Sequence, residues 1–144
     1  MKQKIDISDI INLLNHLKNN IINNRIINIY DINNKSFLIK LVSKDKIKKF
    51  IILDSNSNNL RFHETEIEYE RRKLPSSFCV KLRKHLKNKI INNITQIGSD
   101  RIIDIEIGTD KKFHLILELF DNGNLFLTDH DYNIIILLRI FTYN

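Results

Sequence analysis

The 144 residues contain one cysteine, one proline, three glycines and no tryptophan. With the single thiol of Cys79, the chain can form no internal disulfide and no cysteine-based zinc site, which fits a reducing, cytoplasmic address. Gly98, Gly108 and Gly123 all fall where turns are expected, leaving no glycine-rich loop to cradle phosphates. The five histidines lack metal-ligand spacing. His130 between Asp129 and Asp131 comes nearest, but neighbours on an extended chain point opposite ways. No metal, cofactor or catalytic residue is expected. No apolar run approaches the roughly 20 residues that span a bilayer, and the N-terminal segment is too interrupted by charge and Asn for a signal peptide. Alanine is absent and valine occurs twice, against 28 isoleucines and 19 asparagines. That bias is what an AT-rich coding sequence supplies, so an Asn-rich patch is weak evidence for a binding surface.

What remains is a globular composition of one domain's length, 42% hydrophobic and 28% charged. The net charge is +6 and unevenly spread. Residues 51–70 hold one basic and five acidic side chains, whereas 71–99 hold eight basic residues and no acid. The basic block (Arg71, Arg72, Lys73, Lys81, Arg83, Lys84, Lys87, Lys89) is a candidate surface for a polyanion.

Periodicity predicts a first helix capped at Ser8, with Ile10, Ile11, Leu14 and Leu17 on its apolar face, Asp9 in its first turn, and its end at Asn19–Asn20. A meander follows: Arg25–Ile32, Ser36–Ser43, Ile47–Leu53 and a short strand at Leu60–His63. After an irregular stretch holding Pro75, Ser76 or Ser77 caps a second helix. Its face Phe78, Cys79, Leu82, Leu86 is apolar, and Lys81, Lys84, His85 and Asn88 lie opposite, flanked by Arg83 and Lys87. Strands resume at Ile90–Ile97, Arg101–Ile107, Phe113–Phe120, Leu125–Thr128 and Ile134–Ile140, with an Asn122-Gly123 hairpin signal. The expected fold is α+β, an antiparallel, β-sandwich-like domain with two main helices and no internal repeat. Cys79, on an apolar face, reads as an inert small hydrophobe. The Asp100–Arg101 pair is either a surface ion pair or a phosphate clamp with a carboxylate beside it.

Several segments then resemble one family. Tyr30-Asp31-Ile32-Asn33-Asn34-Lys35-Ser36-Phe37-Leu38, the Pro75–Leu86 helix, Gly98-Ser99-Asp100-Arg101-Ile102-Ile103, His114–Asn124 and Leu127-Thr128-Asp129-His130 resemble, in order and spacing, blocks of the N-terminal domain of the NFACT family, which includes nuclear export mediator factor and similar fungal and bacterial proteins. The resemblance runs from Ile7 to Arg139. It implies a fold like the N-terminal domain of formamidopyrimidine-DNA glycosylases. The function it implies is ribosome-associated quality control: binding the large ribosomal subunit and tRNA, linked to rescue of stalled ribosomes and untemplated tailing of stalled chains. By the same resemblance, Asp9, Asp100 and Arg101 handle tRNA, and the cationic residues Lys81, Arg83, Lys84, His85 and Lys87 supply sequence-independent attraction. The glycosylases' N-terminal Pro-Glu is replaced here by Met1-Lys2-Gln3, so a non-catalytic role is expected. The residues correspond to the first part of that N-terminal domain. A ubiquitin-ligase partner is met in the family through a coiled coil that this sequence does not include. A reduced ribosome-bound interaction or dormancy module without tailing activity is the alternative.

Overall fold

The computed structural model describes residues 7–33, 35–54, 61–66, 69–98, 101–119 and 123–138. Helix α1 (Ile7–Ile21) leads into strands β1 (Arg25–Asp31), β2 (Ser36–Val42), β3 (Lys48–Asp54) and β4 (Arg61–Thr65). Helix α2 (Ser77–Leu86) then leads into β5 (Ile91–Gln96), β6 (Ile102–Ile107), β7 (Phe113–Glu118), β8 (Asn124–Thr128) and β9 (Ile134–Leu137). Each run of strands pairs antiparallel in chain order, giving sheets β1-β2-β3-β4 and β5-β6-β7-β8-β9.

Alternation explains the inward faces. Phe37, Ile39 and Leu41 of β2 and Ile51 and Leu53 of β3 join Ile103, Ile105 and Ile107 of β6 and Leu115 and Leu117 of β7 in one continuous core. Helix α1 adds Leu14, Leu17 and Ile21, and α2 adds Phe78, Cys79, Leu82 and Leu86. Two details of α1 differ from the sequence reading. It includes Ile7, so Ser8 lies within its first turn, and it runs on to Ile21. It ends there because Asn23 adopts a left-handed φ of 70°, which Asn tolerates better than most residues. Ile11 is 48% exposed, since the buried stripe runs through Leu14, Leu17 and Ile21 with Leu13 packed beside it.

The expectation of no internal repeat is overturned at the level of backbone geometry. Residues 65 apart occupy equivalent places: Asn23 and Asn88, both with left-handed φ, each end a helix and donate to the other half, Asn23 N–H to Ile91 O and Asn88 N–H to Ile26 O. Asn24 N–H bonds Ile21 O as Lys89 N–H bonds Leu86 O, and Ile91 N–H bonds Asn24 O as Ile26 N–H bonds Lys89 O. Both first strands carry a register shift, at Ile26/Asn28 and Ile91/Asn93, where Asn28 and Asn93 accept from the next residue's N–H. The halves meet at an Arg25↔Ile90 bridge and exchange helices, with α2 on β1 and α1 on β5. Around this axis the sequence repeats at the same spacing, with Leu17/Leu82, Asn23/Asn88, Ile26/Ile91, Asn28/Asn93 and Ile29/Ile94 identical, between segments that otherwise differ.

Candidate nucleic-acid interface

Helix α2 is aimed by its first turn. Ser76, extended at φ −66° and ψ 162°, caps it by accepting the Cys79 N–H. Ser76 in turn donates its own N–H and hydroxyl to the two oxygens of buried Asp31, at 2.6 and 2.9 Å. The helix therefore runs back along β1, from Asp31 to Ile26, with Phe78, Cys79, Leu82 and Leu86 pressed into the core. Burying each of the three larger side chains is worth about 1.5–3 kcal/mol.

The opposite face carries the cationic residues. Lys81, Lys84 and Lys87 are exposed. The partly buried His85 ring lies 5.2 Å from the Phe113 ring at the start of β7. Burial pushes the His85 pKa below its ordinary value, and Lys84, Lys111 and Lys81 push it further. Three lysines thus surround a histidine held towards its neutral form. Lys111 comes from the β6–β7 turn and lies 5.6 Å from Phe113; spacing along the sequence gives no hint that it joins the helix. Arg83 has a different job. Its Nε donates to Ile29 O at 2.6 Å, and its guanidinium lies 5.6 Å from the Tyr30 ring, whose face Arg71 covers at 3.9 Å. Arg83 therefore ties the helix to β1.

Cys79 Sγ donates to Ile29 O, and burial, followed by the charge of Asp31, pushes the thiol up to about 11. Near pH 8, iodoacetamide should alkylate native Cys79 about a hundredfold more slowly than the same cysteine in denaturant, as the rise from 9.0 to about 11 requires. Equal rates, read by intact mass, would show the site open.

The second group of candidate residues lies elsewhere. The shared axis makes α1 run back along β5 as α2 does along β1, so Asp9 in its first turn lies towards the Gln96 end, where the chain enters Arg101. The Arg101 carbonyl accepts from Leu119 N–H, which fixes the backbone at the entrance to β6. Asp100 lies outside the described residues. Arg101 precedes β6 and the Lys111 turn follows it, so the strand separates the two groups by roughly 20 Å at ~3.3 Å per residue. The helix ridge and the Arg101 turn therefore lie at opposite ends of one strand.

Sheet β5–β9 also carries a polar cluster on its outer face, which sequence reading missed. His114 Nδ1 lies 2.8 Å from Asp104 Oδ1, and Tyr132 donates its hydroxyl to Asp104 Oδ2 at 2.6 Å. The Tyr132 ring stacks on His114 at 4.1 Å. This hydrogen bond, then burial and the charges of Asp104 and Glu106, push the Tyr132 phenol up to about 12. Asp129 builds the turn that presents Tyr132, accepting from the backbone N–H groups of Asp131 and Asn133. His130 and Asp131 do meet, at 3.1 Å, because the chain turns there and is not extended.

Comparison with known proteins agrees with this architecture. The chain is 40% identical over 143 residues to ribosome quality control complex subunit NEMF of Mus musculus, covering 99% of this chain and 13% of that protein. It is 37% identical over 142 residues to ribosome quality control complex subunit 2 of Saccharomyces cerevisiae, covering 97% of this chain and 13% of that protein. The chain thus spans about one-eighth of the length of these relatives. The N-terminal part of the fibronectin/fibrinogen-binding protein from Streptococcus suis superposes with a TM-score of 0.90 at 23% identity, over 98% of this chain and 55% of that one, a likeness of fold. Residues 6–142 match the family described as NFACT N-terminal and middle domains, and the chain belongs to that family.

Proposed function

We propose that this chain is an RNA-docking unit of a ribosome quality control factor. It binds tRNA on the large ribosomal subunit and favours which tRNA is held there, while the ribosome supplies the peptide-transfer chemistry. The observation that carries this reading is the convergence of Lys81, Lys84 and Lys111 around His85, in a member of a family whose relatives are named as ribosome quality control subunits. Three mobile ammonium groups on a rigid helix and turn suit phosphates read by shape and charge. The Arg101 turn adds a planar guanidinium for a second stretch of backbone.

Filter binding of tRNA across a salt series tests the proposal. Changing Lys81, Lys84 and Lys111 together to Gln should weaken binding about 10- to 100-fold near 0.1 M salt and flatten the log–log salt slope by up to about three. Lys44→Gln, on the exposed β2–β3 turn, should leave both nearly unchanged. Equal affinity and slope for the triple variant and the parent would reject the reading.

A further inference from the structure

The internal two-fold relation gives residues on the outer face of one sheet counterparts on the other. On the first sheet, Lys40 lies between Asn28 and Phe50, and Leu38 between Tyr30 and Ile52. On the second, Glu106 lies between Asn93 and His114, and Asp104 between Thr95 and Ile116. Asn28 and Asn93 mark the shared register shift, so Lys40 corresponds to Glu106, Phe50 to His114, Tyr30 to Thr95 and Leu38 to Asp104. One backbone thus carries a cationic, aromatic face on one sheet and an acidic face on the other.

The two faces also differ in how their charges are met. On the second sheet the groups satisfy one another: Lys112 pairs with Glu106 at 3.2 Å, and His114 and Tyr132 both meet Asp104. On the first sheet the cations meet rings. The Arg71 guanidinium lies 3.9 Å from the centre of the Tyr30 ring and 5.7 Å from that of Phe50, and Lys40 Nζ lies 6.0 Å from the Phe50 ring. Among the described residues neither cation forms an ion pair, although Glu66 and Glu70 are exposed close by in sequence. A guanidinium seated on a ring is held by its face, so its N–H groups, which point outward in its plane, remain for an acceptor.

This face adjoins α2. Tyr30 also lies 5.6 Å from Arg83, and exposed Lys87 follows Arg83 by one turn on that flank of the helix. At ~4.8 Å between strands, cations therefore continue from the α2 ridge through Arg83 and Tyr30 to Phe50 on β3, roughly 10 Å beyond β1.

We propose that the outer face of the first sheet is a further phosphate-binding surface for the same tRNA that docks on α2. Arg71 holds a phosphate with two parallel hydrogen bonds, and Lys40 adds a point charge beside it. That the polyanion is tRNA rests on the function proposed above. That it meets this face rests on the unmatched cations and on the second sheet, where acids at the same positions satisfy the fold. The acidic face is kept off the RNA, which sets the way round in which the domain lies.

Filter binding of tRNA by three variants tests this. Lys40→Glu combined with Glu106→Lys exchanges equivalent residues and leaves the net charge at +6; it should weaken binding about 10-fold, whereas affinity set by net charge alone would not change. Lys40→Gln combined with Arg71→Met, which keeps an apolar stem on the rings, should weaken binding about 5- to 30-fold and flatten the log–log salt slope by up to about two. Lys40→Gln alone leaves the Arg71 stack in place and should flatten the slope by about one. Unchanged affinity and slope in these variants would overturn the proposal. So would a loss seen with isolated large subunits and not with tRNA, which would make ribosomal RNA the occupant. The Lys81/Lys84/Lys111 variant keeps the two readings apart: if it alone weakens tRNA binding, only this surface falls, and if no variant does, the RNA reading falls with it.

Discussion

Replacing Gly108 by alanine should lower the stability of the domain by about 3 kcal/mol or more, whereas Gly98→Ala should cost about 1 kcal/mol. Both glycines have positive φ, +106° and +58°, so both substitutions are strained. The difference lies in what surrounds them. A Cβ on Gly98 meets nothing within 4 Å, but one on Gly108 would stand 2.2 Å from the backbone oxygen of Lys111. No rotamer relieves a clash with backbone, so the β6–β7 turn must move. That turn is pinned at both ends of Gly108: its N–H donates to Ile90 O at 2.9 Å, and its carbonyl accepts from the Asn92 side chain. Moving it also withdraws Lys111 from His85. Urea unfolding of both variants gives the comparison, and equal losses would mean that the close approach at Gly108 is absent.

How much of this was legible in the sequence depends on whether the causal contact is local. Helix α2 was readable because its cap, its buried stripe and its cationic face all follow from spacing within ten residues, and Ser76 does cap it. The strands were readable from alternation and turn residues; each expected strand has its counterpart in the fold. Two things were not. The outer face of the first sheet carries Leu38 and Ile52, both almost fully buried, because Arg71 and Arg72 bring the segment before α2 over it, Arg71 onto Tyr30 and Phe50, and Arg72 N–H onto Asp31 O. Local alternation assigns those positions to solvent. The joining of Lys111 to Lys81 and Lys84 likewise depends on how the halves meet at Arg25 and Ile90, and on Gly108 bonding Ile90. No periodicity encodes a contact between a helix and a turn 25 residues later. The Asp9 and Arg101 positions came through resemblance, and the fold explains only their placement towards one end of β5.

The same logic gives Asp31 a larger effect than its position in a strand suggests. Asp31→Ala should destabilise the domain by about 2–4 kcal/mol, because it removes an acceptor of two hydrogen bonds at a buried site and leaves the N–H and O–H donors of Ser76 without their acceptors. The loss propagates: the Ser76 hydroxyl that Asp31 orients is the group that accepts the Cys79 N–H and starts the helix. Asp31→Asn keeps one acceptor oxygen and should cost less. The charge of Asp31 is also the second cause holding the Cys79 thiol high, after burial, so the alanine variant should alkylate faster near pH 8 even where its unfolded fraction is negligible. That readout separates a lost anchor from a merely less stable core, since a distant cavity such as Leu115→Ala would lower the urea midpoint without lowering the Cys79 pKa. RNA affinity should fall with it, although Asp31 touches no ligand and its removal makes the protein more positive. A negative charge deleted from a cationic domain ought to strengthen phosphate binding; weakening would mean that the direction of the Lys81–Lys84 ridge matters more than its net charge. If Asp31→Ala binds RNA more tightly and unfolds where the parent does, the Asp31–Ser76 hydrogen bonds do not set the direction of α2.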